Sequence, residues 1–235
     1  MNFLDAFDRV YSDLRRNKWL HYFTIFCRIA LALGFLPAGI VKVRGERFTG
    51  LPSNHPLGHY FDALHLTGLY YTFLGVGQLL AAVLLIVPRT ALLGAMLYFP
   101  IIVNSCVLTY ATRFEGTRIA TLMLLANLFL LIWDYDRLRH VLPFRRTAAE
   151  HIVIDKNSKF PTLVFLFFFA AAASVIFINQ FLYDIRPGNS EEECTGGNPT
   201  PARLQFCDCI YKYGNPLQVC LKQYQSTKRA GTRPE

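Results

Sequence analysis

Four cysteines, Cys194, Cys207, Cys209 and Cys220, crowd into one polar segment near the C-terminus. Thiols this close together can form disulfides, exchange electrons with a partner, or hold zinc. A four-thiolate zinc site usually carries C-x2-C pairs, which this segment lacks. Disulfides that staple a piece too small for its own core suit an oxidising compartment. Four cysteines allow three pairings, and bridging Cys207 to Cys209 across one residue would strain the backbone. Two schemes remain: Cys194–Cys207 with Cys209–Cys220, or Cys194–Cys209 with Cys207–Cys220. A redox-active thiol pair among the four is the competing reading. Cys27 and Cys106 fall in apolar runs and behave as small apolar side chains.

His55, His59 and Asp62 recur at i, i+4 and i+7, so they share one face of a short helix. Two histidines and a carboxylate form a donor set that non-haem iron uses. The same face also suits an interfacial helix whose other side carries Leu57, Tyr60, Phe61 and Leu64. The expectation is no metal, with this trio as the place to look for one.

The third group is polar residues within apolar runs: Arg28, Gln78, Asn104 and Asn127. A charge inside a span faces a cavity, a partner or the nearest interface. Arg28 lies roughly 9 Å from the end of its run at helical rise, close enough to snorkel. The three amides can bridge helices, each for about 1 kcal/mol. The alternative is a polar pocket with Arg28 at its base, receiving the head of an amphipathic ligand such as a quinone. Pro37 and Pro100 interrupt two of the runs, which fits helices opened around such a pocket.

The elements that must position these groups are five long apolar stretches: Tyr22–Val43, Gly68–Val87, Ala91–Tyr110, Gly116–Trp133 and Pro161–Leu182. Each is near the ~20 residues that a helix needs to cross ~30 Å of hydrocarbon. Only helices and closed barrels satisfy their backbone in lipid, and continuous apolar runs exclude the alternating barrel pattern. The sequence therefore predicts an all-α, polytopic membrane bundle of five spans. Composition agrees, with 53% hydrophobic and only 17% charged residues. The net charge of +8 fits basic residues gathered beside anionic headgroups, not nucleic-acid binding.

Those basic residues also orient the chain. Lys42, Arg44, Arg47, Arg113 and Arg118 fall in or beside the first and third loops. More than twice as many lie in the N-terminal segment and in the second and fourth loops, among them Arg9, Arg15, Arg16, Arg89 and Arg145. The N-terminus is then cytoplasmic and the tail external, as in a bacterial cytoplasmic membrane with its tail in the periplasm. Residues 1–20 read as an amphipathic interfacial helix and not a signal peptide, with Phe3, Leu4, Phe7 and Leu14 on its apolar side. Residues 21–135 form a four-helix membrane domain and 136–160 a cytoplasmic linker. A fifth transmembrane helix occupies 161–183, and 184–235 form the external cysteine-rich tail. Gly34, Gly39, Gly75, Gly77 and Gly94 are where helices would approach closely.

The order of these features resembles the DoxX-like family of four-helix membrane proteins over residues 28–133. Arg28, then Gly34-Phe35, Pro37 and Gly39-Ile-Val-Lys42 are similar to that family's first span. Leu74-Gly75-Val-Gly77-Gln78, Pro88-Arg89-Thr90 and Gly94 follow its next helix–turn–helix. The family usually has an acidic or other polar residue near position 78. The N-terminal helix, the fifth span and the tail lie outside the match. The resemblance implies quinone-linked or thiol-linked redox work for some members, and directs attention to Arg28, Gly39, Lys42, Gln78 and Arg89. It assigns no catalytic residue.

Two functional readings follow. One is a membrane component of a redox system that holds a quinone-like lipid between spans one to four, its tail thiols passing electrons to a partner. The other is a non-enzymatic scaffold or assembly factor, holding protein partners in a larger membrane complex through its two ends.

Overall fold

A computed structural model describes residues 11–141, 155 and 158–231. It is helical, with no strand among the described residues. The helices are α1 (Lys18–Val43), α2 (Pro56–Leu66), α3 (Leu69–Ile86), α4 (Ala91–Ala111), α5 (Thr117–Trp133), α6 (Tyr135–Val141) and α7 (Thr162–Leu182). The tail adds α8 (Glu191–Thr195), α9 (Pro201–Cys207), a π-helical turn at Asp208–Lys212 and α10 (Leu217–Gly231). Residues 1–10, and with them Phe3, Leu4 and Phe7, lie outside the described residues. So does most of the segment expected to be a linker.

Four helices, α1, α3, α4 and α7, are long and apolar enough to cross a membrane. This makes the chain a membrane protein. The run expected as a further span, α5, is apolar but only 17 residues long, about 26 Å at helical rise.

Helices α1, α3, α4 and α5 close into a ring: each packs on the next, and α5 returns to α1. The shared core is built from Leu31, Phe35, Ala81, Leu85, Tyr98 and Leu130. Small residues bring the helices together. A β-carbon on Gly75 would lie 2.9 Å from the Gly39 carbonyl oxygen, and one on Gly94 would lie 2.6 Å from the Leu85 nitrogen. Gly34 meets Met123 in the same way, whereas Gly77 faces open space. The fifth expected contact glycine therefore lies on the wrong side of α3. Helix α7 stands apart, resting on α5 with Leu163, Phe167 and Phe177 exposed.

Both ends of the ring are sealed. At one end, Arg15 bridges Asp134 and Asp136 at 3.0 Å each, and the Tyr11 hydroxyl donates to the Trp133 carbonyl. At the other end, the 44–55 loop and the disulfide-bonded tail lie over the bundle. Asn54 Nδ2 donates to the carbonyls of Ile210 and Asn215.

Adding one methyl at Gly75 overpacks the α1–α3 crossing, and such insertions cost about 1–3 kcal/mol. Gly75→Ala should lower the unfolding midpoint in detergent, and Gly77→Ala should leave it unchanged. Equal midpoints for the two variants would contradict this crossing.

Candidate functional site

The four polar residues singled out within the spans do not converge. Arg28 lies on α1 at the level where α3 ends. Its Nε donates to the Leu85 carbonyl at 2.7 Å and its Nη2 to the Ile86 carbonyl at 2.8 Å. The Thr90 hydroxyl donates to the neighbouring Leu84 carbonyl at 3.0 Å. A helix leaves its last carbonyls without intrahelical partners, and here side chains supply the donors that water would otherwise provide. Arg28 is therefore a cap on α3 and not the base of a pocket.

Asn127 is fully buried, and its Nδ2 donates to the Ala95 carbonyl at 3.2 Å, joining α5 to α4. That is the bridging role open to a buried amide. Asn104 faces outward. Gln78 lines a cavity that Arg28, Asn104 and Asn127 do not reach.

The cavity has a volume of about 440 Å³, within the range of ligand pockets (~300–1,000 Å³). Phe35 and Ala38 of α1, Ser105 of α4 and Met123 of α5 form its walls, with Gln78 of α3 entering from the side. Phe48 of the 44–55 loop, Phe61 of α2 and Asn189 of the tail line its outer end. Pro37 of α1 and Pro100 of α4 each remove one helix hydrogen bond and are exposed on the outside of their helices. Phe35 and Tyr98, two residues before those prolines, stack with ring centroids 3.5 Å apart. Gln78 is 8% exposed, and its Oε1 has no hydrogen-bond partner among the described residues. An unpaired buried amide oxygen costs about 1–3 kcal/mol, so the cavity presents a polar acceptor to whatever enters.

The motif residues serve the frame around this cavity. Gly39 makes the helix crossing, and Arg89 is exposed in the turn between α3 and α4. Lys42 is buried, donates to the Ala38 carbonyl at 3.2 Å, and lies 3.9 Å from the centre of the Phe48 ring. Its ammonium thus supports from behind the ring that covers the cavity.

His55, His59 and Asp62 do not form a metal site, and no such group occurs among the described residues. His55 precedes Pro56 and is the N-cap of α2, its Nδ1 accepting from the Leu57 amide at 3.1 Å. Its ring is turned into the protein and is 0% exposed, while His59 remains exposed. Asp62 is taken by Arg47 at 2.7 Å and by the Ser53 hydroxyl. Burial pushes the His55 pKa from 6.5 down to about 4, the backbone at Thr112 opposing.

The cysteines pair as Cys194–Cys207 and Cys209–Cys220, with Cα separations of 5.8 and 5.7 Å. All four are 0–2% exposed, in a small core with Phe206, Ile210 and Leu217. Cys27 and Cys106 are free and buried.

No family model and no solved structure matches the chain. The uncharacterized protein YwoB of Bacillus subtilis (strain 168) is 42% identical over 139 residues, covering 55% of this chain and 87% of YwoB. The chain belongs to the family of YwoB.

Because His55 is held neutral, the folded loop binds fewer protons than the unfolded chain between about pH 4 and 6.5. Its contribution is complete above 6.5 and falls by about 1.4 kcal/mol per pH unit as the pH drops toward 4. Thermal unfolding of wild type should show this slope and His55→Asn, which keeps a capping side chain, should not. An unchanged slope would remove His55 as its source. Shielded disulfides also make a prediction: mild reductant followed by an alkylating probe should label no tail cysteine in the folded protein. Selective labelling of one pair would mark that pair as exchangeable.

Proposed function

We propose that this member of the YwoB family holds an amphipathic, quinone-like lipid in the cavity beneath its tail. The observation that carries the reading is the unpaired Gln78 amide in a largely apolar chamber of ligand size. A primary amide offers an acceptor oxygen and, when its ends exchange, a donor nitrogen. It therefore suits both the hydroxyl of a quinol and the carbonyl of a quinone. The walls suit an apolar ring or chain. A place in a redox system goes with such a ligand, and the resemblance of residues 28–133 to the DoxX-like family supports it.

The arrangement in the membrane belongs to the same proposal. Five spans, with α5 crossing despite its length, put the N-terminus in the cytoplasm and the tail outside a bacterial cytoplasmic membrane. The excess of basic residues on the loops of the N-terminal side supports this orientation. The tail cysteines then serve as staples, because their sulfurs are enclosed in a core away from any partner. That burial also favours a second reading, in which the stapled tail is a rigid platform for partners of a membrane complex.

Extraction and spectroscopic assay of quinone retained by protein purified in gentle detergent tests the first reading. Gln78→Leu should retain about tenfold less than wild type, the value of one hydrogen bond of about 1.4 kcal/mol. Asn104→Leu should match wild type. Retention unaffected by Gln78→Leu would end the proposal, and a stable co-purifying protein would bring the platform forward.

A further inference from the structure

Arg118 and Arg186 converge on one neutral acceptor at the tail side of the bundle. Arg118 Nη2 donates to Gln180 Oε1 at 2.6 Å, and Arg186 Nη2 reaches the same oxygen at 3.4 Å. Neither arginine has a carboxylate within salt-bridge distance among the described residues. Arg118 Nε and Arg186 Nη1 are buried and have no hydrogen-bond partner. Burial and the Arg118 charge lower the Arg186 pKa, and Glu115 and Tyr183 oppose them. A third cation, Arg113, lies over the Tyr183 ring at 5.3 Å from its centre. Two like charges sharing one amide oxygen, with donors left over, are a poor arrangement without an anion.

The pair sits where α5 begins and just beyond the end of α7. The N-terminus of α5 adds its own positive end to the potential there. On the last turns of α7, Phe177 and Phe181 are 65% and 72% exposed, one helical turn apart, an apolar strip on the outside of that helix. Planar guanidinium groups bind phosphate oxygens in pairs and hold them through several parallel bonds. An anionic group at the arginines with hydrocarbon continuing downward from it matches this combination.

We infer that Arg118 and Arg186 bind the phosphodiester headgroup of an anionic membrane lipid, whose acyl chains lie along Phe177 and Phe181. The phosphate replaces Gln180 Oε1 as the shared acceptor and ties α5 to α7. This site is separate from the Gln78 cavity and stands whether or not that cavity holds a quinone.

The full chain, purified in gentle detergent from membranes or from vesicles of defined lipid, tests this by native mass spectrometry. Vesicles of phosphatidylglycerol mixed equally with phosphatidylcholine should give protein that preferentially retains phosphatidylglycerol. Arg118→Gln and Arg186→Gln should each reduce that retention about tenfold, as expected for loss of one charge-assisted contact. Gln180→Ala removes only the competing acceptor, so retention should equal or exceed that of wild type, which controls for damage to the fold. Equal retention of the two lipids by wild type would overturn the inference, as would unchanged preference in the arginine variants. Loss in Gln180→Ala as large as in the arginine variants would also overturn it. Saturable binding of inorganic phosphate to delipidated protein, with displacement of phosphatidylglycerol at the same concentration, would assign the arginines to a soluble anion instead.

Discussion

Every polar group carried into hydrocarbon must find its partner within the protein, and this requirement organises most of the bundle. The last carbonyls of α3 are met by Arg28 and Thr90. The Asn127 amide nitrogen is met by the Ala95 carbonyl. The Tyr110 hydroxyl accepts from Thr121 and from Asn179, drawing α4, α5 and α7 to one point. Close glycine contacts then do what burial of apolar surface cannot do in lipid, because lipid tails are as apolar as the side chains. Gln78, Tyr98, Asn127 and Asn179 each keep one buried oxygen without a hydrogen-bond partner among the described residues, and of these four Gln78 is the one that lines the cavity.

The long apolar runs made α1, α3, α4 and α7 readable before any coordinates. The roles of the polar residues within them were much less readable. Gln78, Asn104 and Asn127 are chemically alike and fall at similar depths, yet one lines a cavity, one faces outward and one joins two helices. They differ only in rotation about their helix axes. A helix that is apolar all round carries no stripe to show which side turns inward. Arg28 was conspicuous as a charge, but its task depended on knowing that the end of α3 lies beside it.

Outside the spans, local chemistry carried more of the answer than it first suggested. The dipeptide His55-Pro56 is itself a helix-start signal, with proline in the first turn and a polar cap before it. Reading the histidine as one of a face of ligands passed over that meaning, and the ring is turned inward. The tail cysteines left two pairings open, and the fold selects the one that joins neighbours in sequence. Nothing in the sequence pattern pointed to Arg118 and Arg186 as a pair. They are far apart in the chain and meet only because α7 leans on α5.

Asn189 has a place in two parts of the molecule. It belongs to the stapled tail, and it also forms part of the cavity wall, with its Oδ1 accepting from Thr49 at 3.3 Å. Occupancy of the chamber and seating of the tail therefore share contacts. By thermodynamic reciprocity, whatever free energy a bound molecule gains from a seated tail, the tail gains from the bound molecule. The two disulfides, and the Glu193 carboxylate that accepts from the Asn189 amide at 2.6 Å, therefore hold one shape in the segment that meets any occupant.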